Sequence, residues 1–219
     1  MDKTEKNERK GRVYAGATTK DRVLKRREQF LDVGLQLFGT VGYKAASVRA
    51  LCREAKLTDR YFYESYSSVE DLLIEVYQRE IEKMTLAVML AIGDVVPGKS
   101  AAAFARPALL AFFSAARNPV VTKTVWLEIL GVSERVNKVY QHAMQQFGEL
   151  FLLKFKALYP TLKLSSTREQ ALATAVVGAI SLSAMNWLIN DFSTPIDDLV
   201  EVNALLMEGL AAALAAPAA

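Results

Sequence analysis

The sequence predicts an all-α protein of about nine helices that opens on a three-helix unit containing a helix-turn-helix. Three observations carry this. Apolar residues recur at i, i+3 and i+4, and neither strand alternation nor a hairpin turn signal stands out. Residues 47–66, SVRALCREAKLTDRYFYESY, read as two short helices joined by a tight turn. Further on, Gly and Pro punctuate the chain at intervals that suit helices and little else. At 219 residues with half of them apolar, the chain can bury a substantial core.

Residues 1–19 carry Lys3, Lys6, Arg9, Lys10 and Arg12 among few large apolar groups, which predicts a disordered basic arm. That arm is either a solvated tail or a segment that reaches DNA phosphates or the minor groove. Charge is unevenly spread: residues 1–66 hold 15 Lys and Arg against 9 Asp and Glu, whereas residues 67–219 hold 12 against 15. From about residue 20 a helical stripe of Phe30, Val33, Leu37 and Phe38 runs to a glycine-containing break at Gly39 to Gly42. Ser47 is placed to cap the next helix, with Val48, Leu51 and Cys52 on its core face and Arg49, Arg53 and Lys56 on the other. Ala55, Lys56 and Leu57 form the turn. Thr58 offers a second N-cap, and Asp59 puts an acid in the first turn, where the helix dipole favours it. In that second helix Phe62 and Tyr66 face inward, leaving Arg60, Tyr61, Tyr63, Glu64 and Ser65 for water or a ligand. So short a helix must be pinned by its neighbours. Ser68 then caps a long helix from Val69 to about Ala91, with Asp71 in a capping-box-like position and Leu72, Leu73 and Val76 inside.

The order helix, glycine turn, helix-turn-helix, long helix resembles the TetR family of transcriptional regulators over roughly residues 20 to 85. The family's L-F and glycine turn match Leu37, Phe38 and Gly42, and its small hydroxyl opening the second helix matches Ser47. Its A-G-V-S turn matches Ala55, Lys56, Leu57 and Thr58. Its apolar residue followed by a phosphate-binding tyrosine matches Phe62 and Tyr63, with Tyr66 as the aromatic three residues on. Two departures stand out. Lys56 replaces the turn glycine, so it either takes a left-handed conformation or the turn differs. Val69 stands where many relatives place a phosphate-binding lysine. The resemblance implies a homodimer with two recognition helices in successive major grooves of a palindromic double-stranded operator, released or recruited by a small-molecule effector. It assigns DNA binding to Ser47, Val48, Arg49, Thr58, Asp59, Arg60, Tyr61, Tyr63 and Ser65. The expected domains are the arm (1–19), the helix-turn-helix domain (20–67), a connecting helix (68–92) and a helical ligand-binding and dimerisation domain (93–219).

In that last region, helices are expected near 101–117, 120–130, 133–158, 166–191 and 196–214, separated at Asn118-Pro119, Gly131 to Ser133, Tyr159-Pro160 and Ser193 to Pro195. Residues 171–190 carry no charge and are rich in Ala, Gly and Ser. Such a stretch suits a dimer seam, with Ala175, Gly178, Ala179 and Leu182 facing Leu206 and Leu210 of the last helix or their copies. It is also long enough to span a bilayer, although its Thr, Ser and Asn residues dilute its hydrophobicity. For an apolar effector the candidate contacts are Phe112, Phe113, Trp126, Tyr140, Met144, Phe147, Phe151, Met185 and Trp187. Each of these also reads as plain core. Glu128, inside the apolar run VWLEIL, needs solvent or a partner, and is the polar candidate for the ligand site.

Chemistry is constrained by what is scarce. The single Cys52 excludes an intramolecular disulfide, and His142 is the only histidine, which excludes a His-pair metal site. No Gly-rich phosphate loop and no recognisable catalytic grouping is present. No catalytic residues, metal or cofactor are expected. The charged N-terminus lacks the apolar core of a secretory signal, so a cytoplasmic location is expected. The reading that follows is a one-component regulator, a repressor that senses a mostly apolar ligand. Two alternatives remain open: an architectural or partner-dependent DNA-binding protein without a ligand, and a membrane-associated helical protein whose basic tail meets anionic lipid.

Overall fold

The computed structural model describes residues 18–94, 97 and 100–215, and the basic arm through residue 17 lies outside them. The described residues form nine helices and no strand. α1 (Thr19–Thr40) starts at a reciprocal capping box: the Thr18 hydroxyl accepts from the Asp21 N–H at 3.1 Å, and the Asp21 carboxylate accepts from the Thr18 N–H at 2.8 Å. It runs through Gly39 rather than breaking there, and the chain turns at Gly42, whose φ of 93° only glycine adopts easily. A short 3₁₀ turn, Tyr43–Ala45, leads into α2 (Val48–Ala55) and α3 (Asp59–Tyr63). Ser47 caps α2 through the Ala50 N–H at 3.2 Å. Thr58 stands at the start of α3 but its hydroxyl makes no cap bond, contrary to expectation.

Lys56 does accept the left-handed conformation, at φ 53° and ψ 38°, and so terminates α2 in place of a glycine. The turn is secured by Leu57 N–H to the Cys52 carbonyl at 3.0 Å and by the Gln29 amide donating to the Ala55 carbonyl at 2.8 Å. α3 is five residues long and ends before Tyr66, which nevertheless enters the core. Phe62 is wholly buried and meets Phe30 edge-on with centroids 5.4 Å apart. These aromatics pin a helix too short to persist alone.

α4 (Val69–Ile92) is capped by Ser68, which accepts from the Asp71 N–H at 3.1 Å. The second half of the expected capping box is missing because the Asp71 carboxylate turns to Arg135 at 2.6 Å, tying α4 to the helix that holds Arg135. That guanidinium holds the Asp71 carboxyl below its ordinary value, so the tie helps at neutral pH and is lost as pH falls through the lowered value.

The N-terminal half of α4 gives Leu72, Leu73, Val76 and Tyr77 to the core that surrounds Phe30 and Phe38. Its remainder packs on α5 (Ala101–Ala116), which in turn packs on α9 (Ile196–Ala215). Within α5, Pro107 removes the N–H that would bond the Ala103 carbonyl. α6 (Pro119–Thr122), capped by Asn118, continues without a break as a wider π-helical turn over Lys123–Glu128. α7 (Glu134–Leu158) and α8 (Ser166–Ile189) lie together, and α9 follows a loop in which Asp191 and Phe192 both have positive φ. One buried cluster runs from Phe30 to Ala204, so the N- and C-terminal parts share a core. α8 is the one described helix long and apolar enough to cross a membrane, and it is little buried in the single chain.

Candidate DNA interface and ligand cavity

The helix-turn-helix leaves a mixed polar face. Arg49 is exposed at the start of α2 and makes no ion pair or hydrogen bond among the described residues; Ser47 is exposed beside it, while Val48 is half-buried against the core. On α3, Arg60 is 84% exposed and its Nε lies 3.2 Å from Glu64 Oε1, one turn on. Tyr63 is exposed, with its ring edge-on to Phe62. Tyr61 is more committed to the protein than its position suggests, because it is half-buried with the Arg26 guanidinium 4.1 Å from its ring centre. Arg26 also reaches Glu64 at 3.3 Å.

Thr58 and Asp59 are exposed at the N-terminus of α3. Burial, and after it a hydrogen bond involving Asp59, pushes the Cys52 thiol up to about 11, so it stays protonated and unreactive at neutral pH. Ser65 is half-buried and its carbonyl accepts from Arg27 at 3.2 Å. Arg27 also forms a two-pronged pair with Glu75 of α4 and lies 4.9 Å from the Tyr66 ring centre. This cation positions α3 instead of facing outward. Val69 packs on the core, so the lysine of relatives has no counterpart at that position.

Glu128 lines neither the apolar cavity nor the groove described below. Its carboxylate accepts from the Tyr43 N–H at 2.8 Å, and a Cβ added to Gly42 would come within 3.0 Å of it. Lys123, on the same π-helical turn, donates to the Thr40 carbonyl at 2.7 Å and lies 3.9 Å from Glu128. An acid among apolar residues thus finds a backbone partner on the N-terminal domain. Replacing Glu128 by Ala should leave the Tyr43 N–H unpaired, at a cost of about 1–3 kcal/mol, and lower the melting temperature by roughly 2–4 °C per kcal/mol. A calorimetric melt unchanged from the parent would show that water replaces the carboxylate without loss.

An apolar cavity of about 120 Å³, partly open to solvent, lies between α4, α5, α7, α8 and α9. Of the residues expected to touch a ligand, Phe112, Trp126, Met144, Phe147 and Phe151 line it. Tyr140 and Met185 instead line an adjoining, more polar groove between α7 and α8, which shares Trp126 and Met144 with the cavity. Phe113 and Trp187 line neither. Phe113 is wholly buried, packs edge-on to Trp187 at 6.1 Å, and Trp187 donates its indole N–H to the Thr194 carbonyl at 2.8 Å. Both are core staples. His142 is exposed on α7. Sequence reasoning missed Phe104, Leu150, Phe155, Val177, Ile180 and Lys154. Only Lys154 carried a signal, as a lone cation inside the run FLLKF.

Along α8, Ala175, Gly178, Ala179 and Leu182 are exposed at helical spacing, Gly178 and Leu182 also lining the groove toward α7, and on α9 Val202, Leu205 and Leu206 are exposed, with Leu210 half-buried beyond them. A Cβ added at Gly178 would meet nothing within 4 Å. The single chain leaves this apolar stripe uncovered.

Residues 30–76 match the family model described as bacterial regulatory proteins, tetR family. The whole fold is similar to solved regulators at low identity. The fatty acid degradation regulator FadR from Bacillus halodurans has a TM-score of 0.71 at 16% identity, covering 84% of this chain and 95% of its own. FadR from Bacillus subtilis, solved in complex with stearoyl-CoA, has a TM-score of 0.69 at 16% identity, with 83% and 97% covered. A TetR-like transcriptional regulator from Rhodococcus sp. RHA1 has a TM-score of 0.65 at 22% identity, with 85% and 96% covered. No curated protein matches the sequence. Residues 30–76 therefore match the tetR family of bacterial regulatory proteins, and the chain as a whole shares its fold with the solved TetR-like transcriptional regulators.

Proposed function

We propose that the protein is a one-component repressor: a homodimer that binds a palindromic operator in the cytoplasm and changes its grip when an apolar effector enters the cavity. The observation that carries this reading is the shared core. A helix-turn-helix with exposed Arg49, Arg60 and Tyr63 is fused through α4 and the Glu128 contact to a domain with an apolar cavity. An architectural protein has no use for a cavity lined by so many apolar and aromatic side chains between its helices. The stripe on α8 and α9 supports a dimer over a membrane span, because small exposed residues at helical spacing permit close approach of a second copy. By two-fold symmetry the two recognition helices would then address half-sites about one DNA turn apart. Stearoyl-CoA in Bacillus subtilis FadR is a precedent for an acyl chain as occupant of this fold. Footprinting on DNA flanking the gene, with and without long-chain amphiphiles, tests the whole reading. A protected palindrome released by ligand is expected, and absence of any protected site would overturn it.

Within that reading, residues that select bases should differ from residues that hold phosphates. Arg60→Ala should cost on the order of 1–3 kcal/mol on the operator and relax preference at one base pair per half-site. The Glu64 pair does not argue against this, since an exposed i, i+4 pair contributes only a few tenths of a kcal/mol and is readily exchanged for a guanine. Tyr63→Phe should weaken operator and unrelated DNA by similar factors. Titrations against base-substituted operators at fixed salt separate the two, and an Arg60→Ala protein with unchanged affinity and preference would remove it from recognition.

A further inference from the structure

Between Ser47 and Tyr66, Lys56 is the one residue with a left-handed backbone, at φ 53° and ψ 38°. A glycine would hold this conformation without strain, whereas the Cβ of a lysine crowds the following carbonyl. The turn itself asks only for the backbone: the Lys56 N–H donates to the Arg53 and Cys52 carbonyls, and the Leu57 N–H and the Gln29 amide close the rest. The side chain is left over. Lys56 is exposed, and its ammonium makes no hydrogen bond or ion pair among the described residues. The nearest acids in sequence do not reach it, since Glu54 is taken by Arg53 at 3.0 Å and Asp59 forms no ion pair among those residues. Arg60, four residues on, is held by Glu64 at 3.2 Å. Backbone strain of this kind persists where the strained residue has a use, and functional surfaces are where it collects.

Position supplies the use. Lys56 stands two residues before Thr58, the exposed residue that opens the short helix α3. In a docked helix-turn-helix the first helix crosses the phosphate backbone and the start of the second meets base edges. The turn between them then lies beside the backbone that borders the groove. We propose that Lys56 is a phosphate contact, in which the left-handed turn directs an ammonium at the DNA backbone and stability of the turn is given up for grip. This rests on the DNA-binding reading above and adds to it a residue that holds every sequence alike.

Titrations of the full chain with sonicated duplex DNA of mixed sequence, over a range of salt, together with thermal melts, test it. Lys56→Gly should melt at least as high as the parent, because the strain is gone, yet bind DNA several-fold more weakly. The slope of log affinity against log salt should become shallower by about 0.9 for each subunit bound. Lys56→Arg keeps both charge and strain and should match the parent in both measurements. Lys163→Gln removes an equally exposed and unpaired charge between α7 and α8, and should leave the salt slope unchanged. A Lys56→Gly protein with the parent's affinity and slope overturns the contact while the DNA-binding reading stands. Weakening by Lys56→Arg as large as that by Lys56→Gly, or an equal change of slope in Lys163→Gln, overturns it too, because the charge at that position is then not what acts. A Lys56→Gly protein that melts below the parent shows that the lysine serves the turn and overturns the exchange of stability for grip. If the parent binds no duplex even at low salt, the DNA-binding reading fails and takes this contact with it.

Discussion

A Gly178→Arg chain is expected to scatter light as a monomer and to lose operator binding while keeping its helical content. Gly178 lies on the open stripe of α8, and a Cβ added there meets nothing within 4 Å in the single chain. The substitution therefore leaves the single subunit intact. In a seam formed by two copies of the stripe it would bury an unpaired guanidinium, and symmetry places one on each side. An uncompensated buried charge costs on the order of 3–5 kcal/mol, a loss of at least a hundredfold in association. Ala179→Glu, one residue on and also exposed, should act in the same direction. Operator affinity falls as a consequence, because one half-site gains nothing from the other once the subunits part. Persistence of the dimer at low micromolar concentration in both variants would place the interface elsewhere.

The second large effect is expected from the addition of a single methyl group. Gly39 lies in the last turn of α1, where a Cβ would come within 2.4 Å of the Val120 carbonyl oxygen and 2.7 Å of the Val120 Cα. These are backbone atoms, so nothing can swing aside and α6 must move as a body. Gly39→Ala would favour the helix by about 1 kcal/mol if the site were open. Overpacking against fixed backbone costs about 1–3 kcal/mol or more, and at this separation it prevails. The melting temperature should fall, and the response of DNA affinity to ligand should weaken, since displacing α6 carries Lys123 and Glu128 away from Thr40 and Tyr43. A variant that melts higher than the parent would show that α6 yields at no cost.

Much of the fold was legible because helix starts in this chain are written in short-range chemistry. Ser47 and Ser68 announce α2 and α4 by capping, and Asn118-Pro119 opens α6, each within four residues of the element it serves. What could not be read depends on distant partners. Glu128 was recognisable as an acid requiring a partner, yet that partner is the Tyr43 N–H, 85 residues away. The π-helical turn was invisible because one extra residue per turn leaves the apolar pattern of VWLEIL unchanged over so short a span. Tyr61 read as an outward aromatic, and only tertiary packing brings Arg26 over its ring. Phe113 and Phe112 are adjacent and alike in sequence, but one is packed inside and the other lines the cavity.

The unbroken core from Phe30 to Ala204 also bears on how the molecule comes apart. With no gap in the packing between the helix-turn-helix and the C-terminal helices, α2 has no route to open by itself beyond fraying at its ends. Its central amides, those of Leu51 and Cys52, should exchange with solvent deuterium only through global unfolding. An occupant of the cavity would then slow exchange at those amides by the same factor as in α7, although it touches none of them. The protein would behave as a single cooperative unit, in which the stability of the DNA-binding end is set in part by what fills the other.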